Sequence, residues 1–393
     1  MKIVHINTND KGGAATACIR IHLALLDRGV ESKILFLNKT KTNIPETYQF
    51  RKKLNLSKRI VKRMRRVLYA KPLTIKERYP EIEWFSHPKS PYDVTSHPVY
   101  KEADIVQLNW VSGFLDEPSF LRKNKKPVVW RMPDLYACGG GYHYEKGFPF
   151  DTLEGLLKKN ATVRKKALKN KNITFVAISN WVKEKADKSP IIGNFPKTVI
   201  QNGLNFSVFK PMDIGEVRSL FDLPVDKKIV LLGTDVSKSK RKGIHLAIKA
   251  LKLLDSERFQ PVIFGEYSGV LPSHFIRTGY VKEESLLAAL YTASDFFCMS
   301  SIEEAFGQVT IEALACGVPV ISFPNGGSLD IIKDGFNGIL ATDFTAEALS
   351  EALRKAVSID FNSESIIKDV HERFDIQQKI EAYMELYHKL LKH

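Results

Sequence analysis

Short apolar runs recur along this chain, and most are followed by a glycine- or polar-rich turn and then a stretch of 3.6-residue periodicity. A chain that alternates in this way buries each run between helices, which is the pattern of a doubly wound α/β sheet. Residues 2–6 read as the first strand. The turn-rich loop 7–15 holds Gly12 and Gly13, and residues 16–28 carry Ile19, Leu23 and Leu26 on one helical side, with Gly29 after the end. Residues 30–37 read as the second strand. Further strands are expected at 105–108, 127–130, 174–178 and 198–201. Around Phe209-Lys210-Pro211 the pattern restarts, with strands at 228–233, 260–265, 278–281, 295–299 and 318–323. Leu246, Ile248, Leu251 and Leu254 mark one of the intervening helices, and residues 376–391 form a long helical pattern with no strand after it. The reading is two Rossmann-like domains, 1–204 and 205–375, followed by a terminal helix at 376–393.

Charge separates the two halves. Residues 1–200 carry 38 Lys and Arg against 18 Asp and Glu, whereas the remainder is slightly acidic. An anionic partner is therefore expected for the first half. Residues 51–71 concentrate this charge around an apolar stripe of Ile60, Met64, Val67 and Leu68, a pattern that suits an anionic membrane surface. No signature of an RNA- or DNA-binding module accompanies the charge, so nucleic acid is not expected. No run of 18 apolar residues occurs, and Met1–Asn7 lacks the apolar core of a secretory leader. The four cysteines, Cys18, Cys138, Cys298 and Cys316, have no metal-ligand spacing and read as buried thiols of a reducing compartment. A cytoplasmic protein is expected, docked at the inner face of the cell membrane if residues 51–71 act as read.

The densest chemical signal lies between Ser300 and Gly338. A strand ends near Met299, a loop holds Glu304, Phe306 and Gly307, and a helix runs from about Gln308 to Cys316 before Gly317 stops it. Seven residues separate Glu304, in the loop, from Glu312, more than one turn into the helix. A loop at the carboxyl end of a strand in such a sheet faces the ligand crevice. The helix start offers unpaired N–H groups to a pyrophosphate, and carboxylates accept sugar hydroxyls.

The run E-A-F-G-x4-E-A-x-A-C-G-x-P-V-I resembles the retaining glycosyltransferases of family 4, which have the GT-B fold. Arg241-Lys242-Gly243, Gly279-Tyr280-Val281, Gly326-Gly327 and Asn337-Gly338 extend the match. The resemblance implies two Rossmann-like domains facing across a cleft, a terminal helix that crosses back to the first domain, and transfer of a hexose from a UDP- or GDP-sugar. It implies that Glu304 holds donor-sugar hydroxyls, that Glu312 holds the ribose, and that Lys242, with Arg241, Lys240 or Lys238, neutralises the departing diphosphate. Phe306, Gly307 and Gln308, together with Gly12 and Gly13, complete the implied donor contacts.

The segment from Trp130 to Tyr144 is similar to the colanic-acid-type subgroup. It has one departure: Pro133 stands where the subgroup has His, next to Asp134. The resemblance makes Asp134 a catalytic candidate and His143 and Lys11 acceptor-side candidates. The acceptor it implies is a glycan or a lipid-diphosphate-linked oligosaccharide of surface polysaccharide assembly. With Pro133 in place, a catalytically impaired binder of sugar nucleotide or anionic lipid is the alternative. No D-x-D motif holds a divalent ion, the nearest pattern being Glu81-Ile82-Glu83, so neither metal nor other cofactor is expected.

Overall fold

The computed structural model describes residues 1–51, 75–79, 82–234 and 239–392. The basic segment 51–71 lies outside them apart from Arg51, as do Glu81 and Lys238. The chain forms two compact units. One comprises Met1–Val176, Lys185–Thr198 and Tyr387–His393, and the other Ala177–Glu184 and Val199–Leu386. The second unit thus begins some residues before the expected boundary at 204, and of the terminal helix only the part from Tyr387 onward belongs to the first unit.

The first unit holds a seven-stranded sheet. Its strands are β1 (Lys2–Asn9), β2 (Glu31–Asn38), β3 (Thr47–Gln49), β4 (Ile105–Leu108), β5 (Val128–Met132), β6 (Ile173–Ala177) and β7 (Lys197–Val199), in the order β3-β2-β1-β4-β5-β6-β7. β3, β2, β1, β4 and β5 pair in parallel. β4, β5 and β6 are buried along their whole length, as strands covered on both faces must be. The chain winds outward from β1 to β2 and β3, then returns to place β4 on the other side of β1. The winding therefore reverses between β1 and β4.

The second unit repeats the scheme with β8 (Lys228–Thr234), β9 (Phe259–Gly265), β10 (Ile276–Gly279), β11 (Phe296–Met299), β12 (Val320–Ser322) and β13 (Gly338–Leu340), in the order β10-β9-β8-β11-β12-β13. Every pairing is parallel. One core under this sheet joins Val230, Leu232, Leu251, Ile263, Phe296 and Ile321. Here the winding reverses between β8 and β11. The helices that matter below are α1 (Gly13–Asp27), α2 (Phe150–Leu168), α3 (Ile244–Lys252), α4 (Gln308–Ala315) and α5 (Ile376–Leu391).

Two strands escape sequence reading, β3 and β13. Each has only three residues. The strand expected at 278–281 lies two residues earlier, at Ile276–Gly279, and its pairing with β9 shifts register after Arg277.

A buried ion pair braces the first unit. Arg164 of α2 donates to both carboxylate oxygens of Glu117, each at 2.8 Å, and both side chains are within 1% of full burial. The same guanidinium donates to the carbonyl of Tyr136 at 2.6 Å and to that of Gly139, and the Tyr136 hydroxyl donates to Glu117 Oε1 at 2.6 Å. This network pins the turn after β5. Removing one partner of a buried pair strands the other charge. Glu117→Ala is expected to cost about 3–5 kcal/mol of stability in urea unfolding. A loss below about 1 kcal/mol would show that Arg164 finds other compensation.

Candidate functional site

In the second unit, the loop after β11 and the turn before α3 meet where the sheet reverses its winding, at the carboxyl ends of β8 and β11. Ligands bind at such reversals because neighbouring loops diverge to opposite faces and leave a crevice. Lys240–Lys242 form one 3₁₀ turn that ends at Gly243, in the left-handed region at φ 63°. A Cβ at Gly243 would lie 1.9 Å from the carbonyl oxygen of Ser300, so only glycine lets the turn approach this closely. Three hydrogen bonds tie the two segments together. Ser300 Oγ donates to the Lys242 carbonyl (2.8 Å), Ile302 N to the Arg241 carbonyl (2.7 Å), and Arg241 Nη1 to the Glu303 carbonyl (2.6 Å).

This stitching brings Lys242 and Arg241 to Glu304. Lys242 Nζ donates to Glu304 Oε2 at 2.8 Å, and Arg241 Nη1 lies 3.7 Å from the same oxygen. Ser301 Oγ donates to Oε2 at 3.3 Å, and the amide of Ala305 to Oε1 at 3.3 Å. The Glu304 side chain is 13% exposed and that of Lys242 27%. Burial pushes the Glu304 carboxyl up, but Lys242 and then Arg241 outweigh it and its pKa falls to about 2. The cluster thus sets two cations against the carboxylate of Glu304.

The rest of the loop is fixed from the other side. Gly327 N donates to the Glu304 carbonyl at 2.7 Å, and a Cβ at Gly327 would fall 2.3 Å from Phe306 Cα. Asn325 Nδ2 donates to the Ser301 carbonyl at 2.8 Å. Phe306 is buried edge-on to Phe374. Gly307 caps α4, and the side-chain amide of Gln308, the first residue of that helix, is buried without a hydrogen-bond partner. Glu312 is buried in α4, with the Tyr291 hydroxyl donating to it at 3.4 Å. The structure thus gathers Arg241, Lys242, Glu304, Phe306, Gly307, Gln308 and Glu312 about one reversal. Asn325 and Ser301, which hold the loop, carry no motif that would single them out in the sequence.

The other candidates belong to the first unit. Lys11 and Gly12 are exposed on the loop after β1; Gly12, at φ 88°, caps α1, and Gly13 is the exposed first residue of that helix. Asp134 and His143 are buried together. His143 Nδ1 donates to Asp134 Oδ2 at 2.6 Å, and its Nε2 lies 2.8 Å from Ser86 Oγ. Trp110 Nε1 also donates to Oδ2 (3.0 Å), and Tyr136 N to Oδ1 (2.9 Å). The stacked ring of Tyr136 covers His143. Both Asp134 oxygens are thus engaged within the protein, where they set the indole of Trp110 and the imidazole of His143.

Residues 222–373 match the family model described as Glycosyl transferases group 1. That stretch is similar to the group 1 glycosyl transferases. It contains Arg241, Lys242, Glu304 and Glu312 and covers less than half of the chain. D-inositol 3-phosphate glycosyltransferase of Streptosporangium roseum is 29% identical over 178 residues, 40% of this chain and 41% of that protein. The chain therefore spans about two fifths of the length of that relative. Sucrose-phosphate synthase from Thermosynechococcus elongatus superposes over 100% of both chains with a TM-score of 0.71 at 18% identity. Anabaena HepE in complex with UDP and glucose does so over 98% of this chain and 99% of its own, with a TM-score of 0.71 at 16% identity. At these identities the likeness shows the fold: two Rossmann-like α/β units of the GT-B class.

The ion cluster makes stability depend on pH. Because the folded Glu304 pKa lies below its ordinary value of 4.5, the cluster's contribution is complete above that value and is lost as pH falls from about 4.5 towards about 2. Glu304→Gln removes the titration. Urea unfolding of both proteins across this range is expected to show the wild-type advantage shrinking as the carboxylate protonates. A gap independent of pH would contradict the pairing.

Proposed function

We propose that this chain is a glycosyltransferase of the retaining, family 4 type, which moves a hexose from a UDP- or GDP-sugar. The observation that carries this reading is the Lys242–Glu304–Arg241 cluster at the winding reversal of the second sheet, with Glu312 on the helix that follows. Charge grows on the departing diphosphate as the sugar bond breaks, and fixed cations in a site of low polarity stabilise that charge. Lys242, the more exposed of the two cations, can exchange its contact with Glu304 for a phosphate oxygen. Glu304, released from Lys242, then accepts hydroxyls of the donor sugar. Glu312 takes the ribose hydroxyls, and the first-turn amides at Gly307 and Gln308 face the phosphates. No divalent metal is needed in this scheme, because protein cations carry its part.

For the first unit we propose acceptor binding, with Lys11, on the loop after β1, offering a cation to a phosphate of the acceptor. The excess of basic residues in this half supports a glycan or lipid-diphosphate-linked acceptor of surface polysaccharide assembly, similar to that of the colanic-acid-type enzymes. Residues 51–71, which the described structure leaves out, are proposed to dock the protein peripherally on the inner face of the cell membrane. Among the described residues no helix is long and apolar enough to cross a membrane.

The test is nucleotide binding by the full chain, followed by thermal shift with UDP, GDP and their sugar conjugates. One nucleotide class is expected to raise the unfolding temperature with or without EDTA. Glu312→Ala is expected to weaken that binding at least about tenfold, since a charge-assisted hydrogen bond is worth about 1.5–3 kcal/mol. Absence of a shift with every nucleotide would overturn the donor site. Binding without turnover or slow donor hydrolysis would instead favour the impaired binder that Pro133 suggests.

A further inference from the structure

Gly326 and Gly327 stand in the sequence motif, yet the donor chemistry gives the first of them no part. Neither lies in the left-handed region, and Gly327, at φ −71° and ψ −27°, has a backbone open to any residue. Glycine serves here to leave space, not to reach a special conformation. A Cβ at Gly326 would fall 2.5 Å from Cδ2 and 2.6 Å from Cγ of the half-buried Trp181 indole. Gly327 approaches the Phe306 backbone as closely, and its amide donates to the Glu304 carbonyl at 2.7 Å.

Trp181 reaches this turn on a short excursion of the chain. The chain leaves the first unit after Val176, contributes Ala177–Glu184 to the second, and returns to the first at Lys185. The helix Asn180–Asp187 begins in that excursion, and Asp330 fixes its start: Asn180 N donates to Asp330 Oδ2 at 2.6 Å, and Gln201 Nε2 to the same oxygen at 3.4 Å. Residues 325–330 are themselves closed by Ser328 N donating to Asn325 Oδ1 and Asp330 N to the Gly327 carbonyl, each at 3.2 Å. This short span therefore has two sets of tethers. Trp181 and Asn180 hold it through Gly326 and Asp330, while Asn325 and Gly327 bind the Ser301 and Glu304 carbonyls of the donor loop.

We propose that Trp181 is a positioning residue for the donor loop: its indole, laid against Gly326, holds the turn that sets Glu304 and Phe306. A large ring against a bare Cα makes many dispersion contacts, and a smaller side chain would leave a gap into which the turn relaxes. Trp181 acts through the loop that carries Glu304 and not through Glu312, which belongs to α4. Its effect therefore falls on the sugar more than on the nucleotide. The inference rests on the transferase reading for what Glu304 holds.

The test uses the full chain and calorimetric titration with UDP, GDP, UDP-glucose, UDP-galactose, UDP-N-acetylglucosamine and GDP-mannose. Trp181→Ala is expected to weaken the preferred sugar nucleotide about tenfold, the scale of one charge-assisted hydrogen bond, and to leave the bare nucleotide nearly unchanged. Trp181→Phe, which keeps a ring against Gly326, retains most of the affinity. In a Glu304→Gln background Trp181→Ala is expected to add nothing, because the group it positions is gone, whereas independent roles add. Equal losses for nucleotide and sugar nucleotide, or additive losses with Glu304→Gln, overturn the proposal. If Trp181→Ala does not fold, Asp330→Ala cuts the tether at Asn180, keeps the indole and is held to the same outcomes. If the wild type binds none of the sugar nucleotides, it is the transferase reading that fails, and the positioning role is read without ligand. The stability gap between wild type and Glu304→Gln that closes from pH 4.5 towards about 2 is then expected to shrink in the Trp181→Ala background. An unchanged gap overturns the proposal.

Discussion

A parallel sheet that changes its direction of winding leaves one gap between divergent loops, and in each unit of this protein the polar chemistry gathers there. The second sheet reverses between β8 and β11, and the loops that follow those strands carry Lys242 and Glu304. The first reverses between β1 and β4, beside Trp110. The gap follows from pairing order alone. Side chains determine only what it holds.

What the second gap holds depends on a close backbone approach. The Lys240–Gly243 turn lies against Ser300 at Gly243 without room for a side chain, and this contact brings Lys242 and Arg241 to the same oxygen of the Glu304 carboxylate. The resulting cluster is strongly paired in the absence of ligand, which keeps Glu304 ionised at a partly buried position. In the proposed reaction a diphosphate enters by exchanging partners with this cluster and need not bring charge into an apolar pocket. The first unit uses its buried charges differently. Arg164, Glu117 and Asp134 have their hydrogen-bonding capacity directed at backbone carbonyls, amides and neighbouring rings, so they act as a frame.

Much of this was legible in the residue order. The βα alternation, the extent of α5 and the helix beginning at Gln308 all follow from periodicity and glycine placement, which are local properties. The run from Glu304 to Glu312 could be read because both carboxylates belong to one loop–helix segment. The strands β3 and β13 could not, since they are defined by pairing with a neighbour that supplies the hydrogen bonds. The role of Asp134 was equally hidden. A sequence shows a carboxylate beside a proline, whereas the fold brings Trp110 and His143 to one of its oxygens from 24 and 9 residues away.

The sequence by itself thus determined the class of fold, the two-part organisation and the residue types available for sugar and phosphate chemistry, because these rest on short-range pattern. Only the tertiary structure decided which of them meet. Lys242 and Glu304 lie 62 residues apart and become an ion pair through the adjacency of β8 and β11. Trp84 and Trp110 become one aromatic corner through the bridge from Phe85 to Tyr142 and the locking of the Trp110 indole. Contacts of this kind arise from strand order and loop packing, which no local period encodes.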